Sequence, residues 1–277
     1  MAEVVGASGA WKDIAADIQQ RGHTLGKPGD IEPLLAQLRE TRQASIDANR
    51  AQTLAAVQIT AKRIALLSSE PGLIRRFLNR SEVGRLRRSI ETIYAMDAGY
   101  PALLDATVAR LESLPQSAEI AGAEAELAVI EQLRKLSPAH TVFNDVRLRA
   151  SRHIRFNGAA LQSAQLDHVV VSVAGVFVIE TKHWSRRFAE SGAFHDPYDQ
   201  VQRASYLCFD LLRQHFGETR VRSVIACVGS LPDAPADSHT KVLHLGDLNG
   251  YISQFKREVT FEQMEALRRF FAYHVTA

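Results

Sequence analysis

The apolar stretch from Gln165 to Lys182 constrains the fold of this chain more than any other part of the sequence. Residues 169–173 and 176–179 are Val, Ile and Phe apart from one Ser, and Ala174-Gly175 separates the two runs. β-branched and aromatic side chains favour strands, and a short Gly-containing link between two such runs is typical of a hairpin. The sequence therefore predicts a buried β-hairpin.

Three charged residues, Asp167, Glu180 and Lys182, interrupt this apolar pattern. If Ala174-Gly175 forms the turn, Val169 pairs with Glu180 and Asp167 pairs with Lys182. Side chains alternate faces along a strand, and directly paired residues share a face. The three charged side chains are therefore predicted to lie together. An even-length loop with the same centre preserves this result, whereas a slip of one residue reverses it.

Two carboxylates and one ammonium group at the end of a buried hairpin suit a divalent metal ion and a water molecule. Mg²⁺ prefers carboxylate and carbonyl oxygens and keeps several of its waters. A nearby lysine can hold such a water or help to deprotonate it, because the metal lowers the pKa of the water. The simpler alternative is an ordinary solvated strand end, since the pattern of one Asp and a Glu-x-Lys is short.

Composition limits the class of protein. The 277 residues, 46% of them hydrophobic, suffice for one large domain or two ordinary ones. A formal net charge of +2 restricts nucleic-acid contacts to local patches. Cys208 and Cys227 lack a Cys-x-x-Cys spacing, which argues against a zinc ribbon or a disulfide framework and favours a reducing cytoplasm. No signal-peptide pattern and no membrane-spanning stretch are found in the sequence.

The first part of the chain, residues 1–115, is predicted to be helical. Apolar residues recur at spacings of three and four from Ile31 to Leu67, which predicts a long amphipathic helix that stops at Pro71-Gly72. A second helix is predicted from about Ser81, with a break at Gly99-Tyr100-Pro101 and a last helix over residues 102–114. This half is predicted to be a helical bundle or an antiparallel coiled coil of undetermined oligomeric state.

Helices and strands are mixed from residue 116 onward, which indicates one α/β domain over residues 116–277. The predicted order is helix 118–136, strand 140–148, the hairpin, helix 197–216, strand 221–228, a Pro-rich loop 229–240, strand 241–245 and helix 260–274.

Glu126 lies in the middle of the apolar arc of helix 118–136, whereas Glu124 points nearly the opposite way. An unpaired carboxylate on a packing face is unfavourable, so Glu126 is expected to meet a metal, a cation or a strong donor. A buried ion pair with an arginine is the structural alternative.

Helix 197–216 has a suitable start, because Asp196 is a good N-cap residue and Pro197 fits the first helical position. Gln200 lies in its first turn at the edge of the inner face. Its amide either orients a phosphate or water near the metal or only bonds a loop, and the sequence leaves both interpretations open.

Four segments together resemble the ordered motifs of a known family: Gly122–Glu126, Gln165–Ser172, Gly175–Lys182 and Pro197–Gln200. They are similar to those of the nuclease-related domain, NERD, of the PD-(D/E)XK nuclease superfamily. The resemblance covers about residues 118–255. It implies a restriction-endonuclease-like core, a mixed sheet flanked by helices, and phosphodiester hydrolysis with Mg²⁺ or Mn²⁺.

The resemblance also implies roles for the matched hairpin residues. Asp167 and Glu180 would be metal ligands, and the backbone carbonyl of Thr181 would add an oxygen. Lys182 would position or activate the attacking water and stabilise the charge that builds on the phosphate.

Two helix residues match the family motifs as well. Glu126 matches the glutamate that supports the metal, and Gln200 matches the glutamine of the following helix. Ala125 stands where the family usually has Gly, a mild change in a helix. The segment 183–195 is shorter than the family's insertion, which puts the substrate-facing loops in doubt.

Two arginine clusters flank the predicted site and are candidate phosphate contacts. They are Arg147, Arg149, Arg152 and Arg155 in the predicted loop before Asp167, and Arg186 and Arg187 after Trp184. Arginine clusters supply salt-dependent phosphate contacts, and a solvated basic loop is the open alternative.

Three histidines, His168, His183 and His195, do not predict a zinc site. They lack a short ligand spacing, and His168 is predicted to face away from Asp167.

These observations lead to one hypothesis and two rivals. The leading hypothesis is a cytoplasmic Mg²⁺-dependent nuclease whose residues 116–277 cut DNA, with RNA as the alternative substrate. Residues 1–115 would hold a protein partner, a second copy of the chain or the nucleic acid. The first rival is a catalytically inactive nucleic-acid-binding module. The second is a helical scaffold or dimerising adaptor with a nuclease-like domain.

Overall fold

The structure is a computed structural model that describes residues 1–69, 72–184, 197–231 and 239–276, apart from the side chains of residues 73–76 and 197. In chain order its helices and strands are β1 (Glu3–Val5), α1 (Gly9–Gln20), α2 (Ile31–Ser69), α3 (Leu73–Ser113), α4 (Ala118–Arg134), β2 (Thr141–Phe156), β3 (Ala159–Ser172), β4 (Gly175–Trp184), α5 (Pro197–Phe216), β5 (Val221–Gly229), β6 (Thr240–His244), α6 (Leu248–Ser253) and α7 (Phe261–His274).

The chain forms two compact units. One contains Met1–Ala16 and Gln116–Ala277, and the other contains Asp17–Pro115. The predicted boundary at residue 115 groups the N-terminal residues with the helices, whereas in the structure Met1–Ala16 belongs with the sheet. The reason is β1, which pairs with β2 and is too short to leave a strand pattern in the sequence.

The first unit is built on one mixed sheet with the strand order β1-β2-β3-β4-β5-β6. β2, β3 and β4 pair antiparallel, whereas β1 pairs parallel with β2. β4, β5 and β6 pair parallel, and α5 lies in the crossover between β4 and β5. This is the mixed sheet flanked by helices that the sequence predicts.

Helices cover both faces of the sheet. One core joins alternate hairpin residues to α5 and α7, with Val169, Val171, Val176, Val178, Leu207, Leu212, Leu267 and Phe271 among its members. The other joins the remaining hairpin residues to α4 and α6, with Val170, Phe177, Ile179, Val129, Leu133, Leu248 and Ile252 among its members. Because both faces of the hairpin are buried, almost every residue along its two strands is apolar, which explains the continuous apolar run in the sequence.

The helices predicted at 118–136, 197–216 and 260–274 and the strands predicted at 221–228 and 241–245 are confirmed with small differences at their ends, but β1 and α6 were not predicted. Asp196 and residues 232–238 of the predicted Pro-rich loop lie outside the described residues. β2 also continues to Phe156 instead of ending near residue 148. Asn157 and Gly158 have φ of 48° and 81°, as a tight hairpin turn between β2 and β3 requires. The predicted loop between residue 148 and the hairpin is therefore wrong, because this Asn-Gly signal joins two long strands.

The hairpin of β3 and β4 turns one residue earlier than predicted. Ser172 pairs with Gly175 and Val169 pairs with Val178, so Val173 and Ala174 form the turn. The predicted pairs of Val169 with Glu180 and of Asp167 with Lys182 are wrong. Each residue is paired two positions away from its predicted partner, so every side chain keeps its predicted face.

The second unit consists mainly of the long helices α2 and α3, which run antiparallel. Ion pairs between them occur in the order that this requires: Arg39 with Glu112, Arg42 with Asp105, and Arg63 with Glu82. The predicted end of α2 before Gly72 is confirmed. None of the helices in the described ranges is long and apolar enough to cross a membrane.

The predicted break at Gly99-Tyr100-Pro101 is wrong, because α3 runs without interruption from Leu73 to Ser113. Proline in a helix interior removes one hydrogen bond and crowds the preceding turn. Packing beyond the proline offsets this cost, since Leu104 and Leu111 are both buried. The predicted start near Ser81 is also wrong, because the helix begins at the end of the short connection from α2.

Replacement of Gly175 by alanine should destabilise the sheet unit. Gly175 has φ of 95°, and an added Cβ would lie 2.7 Å from the carbonyl oxygen of Arg220. We expect Gly175→Ala to lower the free energy of unfolding by about 2 kcal/mol or more. Gly158→Ala is the matched control, because Gly158 has φ of 81° with open space around it and should lose only about 1 kcal/mol. Equal losses in chemical denaturation would contradict the close approach at Gly175.

Candidate active site

Asp167 lies where β3 and β4 part. The paired ladder of the two strands ends at His168 and Ile179, and Asp167 and Glu180 are the next residues along it. The backbone N–H of Thr181 donates a hydrogen bond to Asp167 Oδ2 at 2.8 Å. The side chain of Asp167 therefore takes the place of a strand carbonyl at this point and is fixed beside β4.

Asp167 and Glu180 lie on the same face of the hairpin. Val169 and Val178 pair directly and share one core cluster, and alternation along each strand gives Asp167 and Glu180 the same orientation. The charge of Glu180 also acts on Asp167. The prediction that the two carboxylates share a face is confirmed, although the predicted pairing is not.

Lys182 joins the hairpin to α5. Its Nζ donates to Glu180 Oε1 at 2.7 Å and to Gln200 Oε1 at 2.9 Å. Glu180 is almost fully buried, with 4% of its side chain exposed, whereas 26% of the Lys182 side chain is exposed. The ammonium group therefore lies at the border between the buried carboxylate and solvent. The structure thus brings Gln200 into direct contact with Lys182.

Glu126 is held by the start of α1. Ser8 Oγ donates to Glu126 Oε2 at 2.7 Å, and the backbone N–H of Ala10 donates to the same oxygen at 3.3 Å. Ser8 Oγ also accepts the backbone N–H of Trp11 at 3.0 Å, as an N-cap residue does. The predicted strong donor is thus a capped helix start, where backbone N–H groups and the helix dipole favour an anion.

Burial, with repulsion from neighbouring carboxylates as the smaller cause, raises the pKa values of these acids. Burial raises the pKa of Asp167 well above its usual value, and the charges of Glu180 and Glu126 raise it further. Burial also raises the pKa of Glu180, although Lys182 opposes this. Burial raises the pKa of Glu126 and the hydrogen bond from Ser8 opposes it. A proton or a cation near Asp167 would relieve this repulsion.

The donor atoms fit a hard divalent cation held by few protein ligands. Asp167 and Glu180 supply carboxylate oxygens, which Mg²⁺ prefers, and Mg²⁺ sites commonly use one or two carboxylates and retain waters. Within the described ranges, no group of three His, Cys, Asp or Glu side chains converges as a complete metal cage. Glu126 is engaged with Ser8. The arrangement therefore suits a two-carboxylate site better than a closed all-protein one.

A second charged group, centred on Asp145, was not predicted. Asp145 is buried, has φ of 51°, and accepts hydrogen bonds from Gln165 Nε2 at 2.9 Å and Lys12 Nζ at 3.2 Å. Its charge contributes to the raised pKa of Glu126. No periodic signal marks it, because an unusual backbone angle in β2 aims this side chain.

His168 is a core residue on the other face of the hairpin. Its ring nitrogens lie 2.8 Å from Asn144 Oδ1 and 2.9 Å from Thr181 Oγ1. Burial lowers its pKa to about 3, so it is neutral at physiological pH. The prediction that it faces away from Asp167 is confirmed, and His195 lies outside the described residues.

The first arginine cluster lies on a strand and not in a loop. The exposed residues Arg147, Arg149, Arg152 and Arg155 all belong to β2. Of these, Arg147 Nε lies 4.0 Å from Asp145 Oδ1. The predicted loop position is therefore wrong. Arg186 and Arg187 lie outside the described residues.

Most of the sheet and the candidate site residues lie in a region that matches a known family. Residues 121–228 match the model of the NERD family, the nuclease-related domain. This match confirms the resemblance that the motifs indicate, over residues 121–228. The matched range includes the five candidate residues Glu126, Asp167, Glu180, Lys182 and Gln200, and it excludes α1, α2 and α3.

Among solved structures, the crystal structure of protein VC1899 from Vibrio cholerae is similar at 10% sequence identity, with a TM-score of 0.26. The alignment covers 91% of this chain and 59% of that chain, so this chain spans little more than half of that protein. None of the curated proteins matches significantly.

Asp167→Asn should stabilise the metal-free fold at neutral pH. When folding raises the pKa of a carboxyl group, the free energy of unfolding decreases as the pH rises from the unfolded pKa, about 3.9, through the folded pKa. Asparagine removes this loss and keeps an acceptor for the Thr181 N–H. With a chelator present, the variant should melt at a higher temperature than the parent at pH 7.5, and the difference should shrink as the pH falls toward 4.

The exposed Glu124→Gln is the control and should not change the melting temperature at either pH. An Asp167→Asn effect that is destabilising, or independent of pH, would contradict the raised pKa of Asp167.

Proposed function

We propose that the α/β unit is a metal-dependent nuclease that hydrolyses phosphodiester bonds, with DNA as the expected substrate and RNA as the alternative. The observation that carries the proposal is the meeting of two carboxylates and a lysine where β3 and β4 part. The match to the nuclease-related domain supports the same class of activity.

Asp167 and Glu180 would hold Mg²⁺ or Mn²⁺, together with the backbone carbonyl of Thr181. When bound, such an ion lowers the pKa of a coordinated water and offsets charge on the phosphate. The chain's contribution is to fix the two carboxylates rigidly. The Thr181 N–H fixes Asp167, and burial in the sheet fixes Glu180.

Lys182 would position the attacking water and stabilise the negative charge that develops on the phosphate. Its ammonium group lies between Glu180 and Gln200 and carries three donors, two of which bond these residues, so among the described side chains one N–H remains for a water or a phosphate. A donor placed in advance at a partly buried site stabilises developing charge more than the same group in water does. Gln200 would keep Lys182 in this position.

Glu126 would act from the helix side of the site by adding negative charge beside Asp167 and Glu180. Its hydrogen bonds with Ser8 and Ala10 set its orientation. The N-terminal residues thus contribute to the site through Glu126, although they lie outside the range that matches the family.

Asp167→Asn and Lys182→Ala should each reduce Mg²⁺-dependent cleavage at least about 100-fold while the protein stays folded. The assay is incubation with linear, circular and single-stranded DNA and with RNA, each in Mg²⁺, Mn²⁺ or EDTA. Glu124→Gln is the control, because Glu124 lies on the same helix as Glu126 but is exposed, and it should cleave like the parent. Undiminished cutting by either variant would exclude the proposed mechanism.

An inactive nucleic-acid-binding module is a second candidate function. The observation that favours it is that Lys182 is bonded directly to Glu180, so one of the two carboxylates already has a cationic partner. Nucleic-acid binding that persists in EDTA, with no cleavage of any substrate in Mn²⁺, would support this candidate over the first.

A further inference from the structure

Positive charge is concentrated at one end of the helical pair. We call residues 50–91, the last part of α2 and the first part of α3, the helical tip. The helical tip contains nine Lys and Arg residues and three Asp and Glu residues, whereas the rest of the helical unit, residues 17–49 and 92–115, contains five and eight. The whole chain carries only +2, so this contrast is a local property of the tip.

Among the described side chains, ion pairs hold most of the cations outside the tip but few of those within it. Away from the tip, Arg39 pairs with Glu112, Arg42 with Asp105, and both Arg21 and Arg110 with Asp17. Within the tip, the described side chains provide one such pair, between Arg63 and Glu82 at 3.6 Å. Like charges without ion-pair partners repel each other, and an anion bound among them would reduce this repulsion. This end of the helices should therefore attract anions.

The tip arginines form a stripe along α3. Arg80, Arg87 and Arg88 are exposed and lie within one arc of about 100° on the helix, whereas Leu86 is half-buried on the opposite side. The stripe is about 12 Å long, because each helical residue rises 1.5 Å. A partner with several negative charges along its length fits this geometry better than a single anion does.

An exposed aromatic residue adjoins the stripe. Phe77 is 72% exposed and lies one turn before Arg80. Both residues line a groove of about 360 Å³, together with Leu67, Ser68, Asn79 and Val83. An exposed aromatic ring beside arginines is the combination that binds single-stranded nucleic acid, because a base stacks on the ring while phosphates meet the cations.

We propose that the helical tip binds single-stranded nucleic acid, with phosphates on Arg80, Arg87 and Arg88 and a base on Phe77. The choice of a nucleic acid over other polyanions rests on the proposed function of the α/β unit. The tip holds a strand by charge and stacking without reading its sequence, and the site for cleavage is a different one.

The test measures binding of the full chain to a fluorescent single-stranded DNA by anisotropy, in EDTA, over a series of salt concentrations. The triple variant Arg80→Gln, Arg87→Gln, Arg88→Gln should flatten the dependence of log Kd on log salt by about 2, since each single-strand phosphate contact contributes about 0.7. Phe77→Ala should weaken binding about tenfold and leave that slope unchanged.

The matched control is Lys241→Gln, Lys256→Gln, Arg269→Gln, which removes the same charge from exposed positions of the α/β unit and should leave the slope unchanged. Circular dichroism checks that each variant is folded. A tip variant that behaves like this control would overturn the proposal. The proposal would also be overturned if the parent chain bound vesicles of anionic phospholipid but did not bind DNA, because the tip would then be a lipid-binding surface.

EDTA removes the metal ion that cleavage would need, so binding in EDTA is measured without cleavage. The tip proposal and the nuclease proposal can therefore fail independently. If Asp167→Asn and the parent bind the strand equally but neither cuts it, the nuclease proposal fails while the tip proposal stands. If the chain cuts DNA but the tip variants bind normally, the tip proposal fails alone.

Discussion

The candidate site depends on two carboxylates that the strand register places on one face of the β3–β4 hairpin. Asp167 and Glu180 lie just beyond the end of the paired ladder; Glu180 is buried and Asp167 is half-buried. Lys182 neutralises one of them in part, and the Thr181 N–H bonds the other. A protein keeps such an unfavourable arrangement only when the surrounding sheet is stable enough to hold it, and functional sites are where it is usually found.

The N-terminal residues have a part in this arrangement that their position in the sequence does not indicate. β1 extends the sheet beside β2, and the start of α1 then lies against α4, where Ser8 and Ala10 bond Glu126. Lys12 of the same helix bonds Asp145. One short segment therefore forms hydrogen bonds with two acids near the candidate site. In the order of the chain, residues 17–115 separate this segment from the rest of its unit.

The fold was predictable where the sequence pattern is long. The buried hairpin, helices α4, α5 and α7, and strands β5 and β6 each produce a periodic or continuous apolar signal. The shared face of Asp167 and Glu180 was predictable for the same reason, since alternation along a strand does not depend on the turn position. The turn itself was not, because the carbonyl of Val173 is fixed by backbone N–H groups of Glu258 and Val259, far away in sequence. The same limit applies to Ser8 and Asp145, whose partners are tertiary, and to Pro101, where packing overrides local propensity.

The most direct test of the proposed metal site is the anomalous diffraction of crystals grown with Mn²⁺. A single strong anomalous peak should lie between the carboxylates of Asp167 and Glu180, and it should vanish in crystals of Asp167→Asn. A peak elsewhere, or none at a saturating Mn²⁺ concentration, would contradict the claim that these two side chains hold a metal ion.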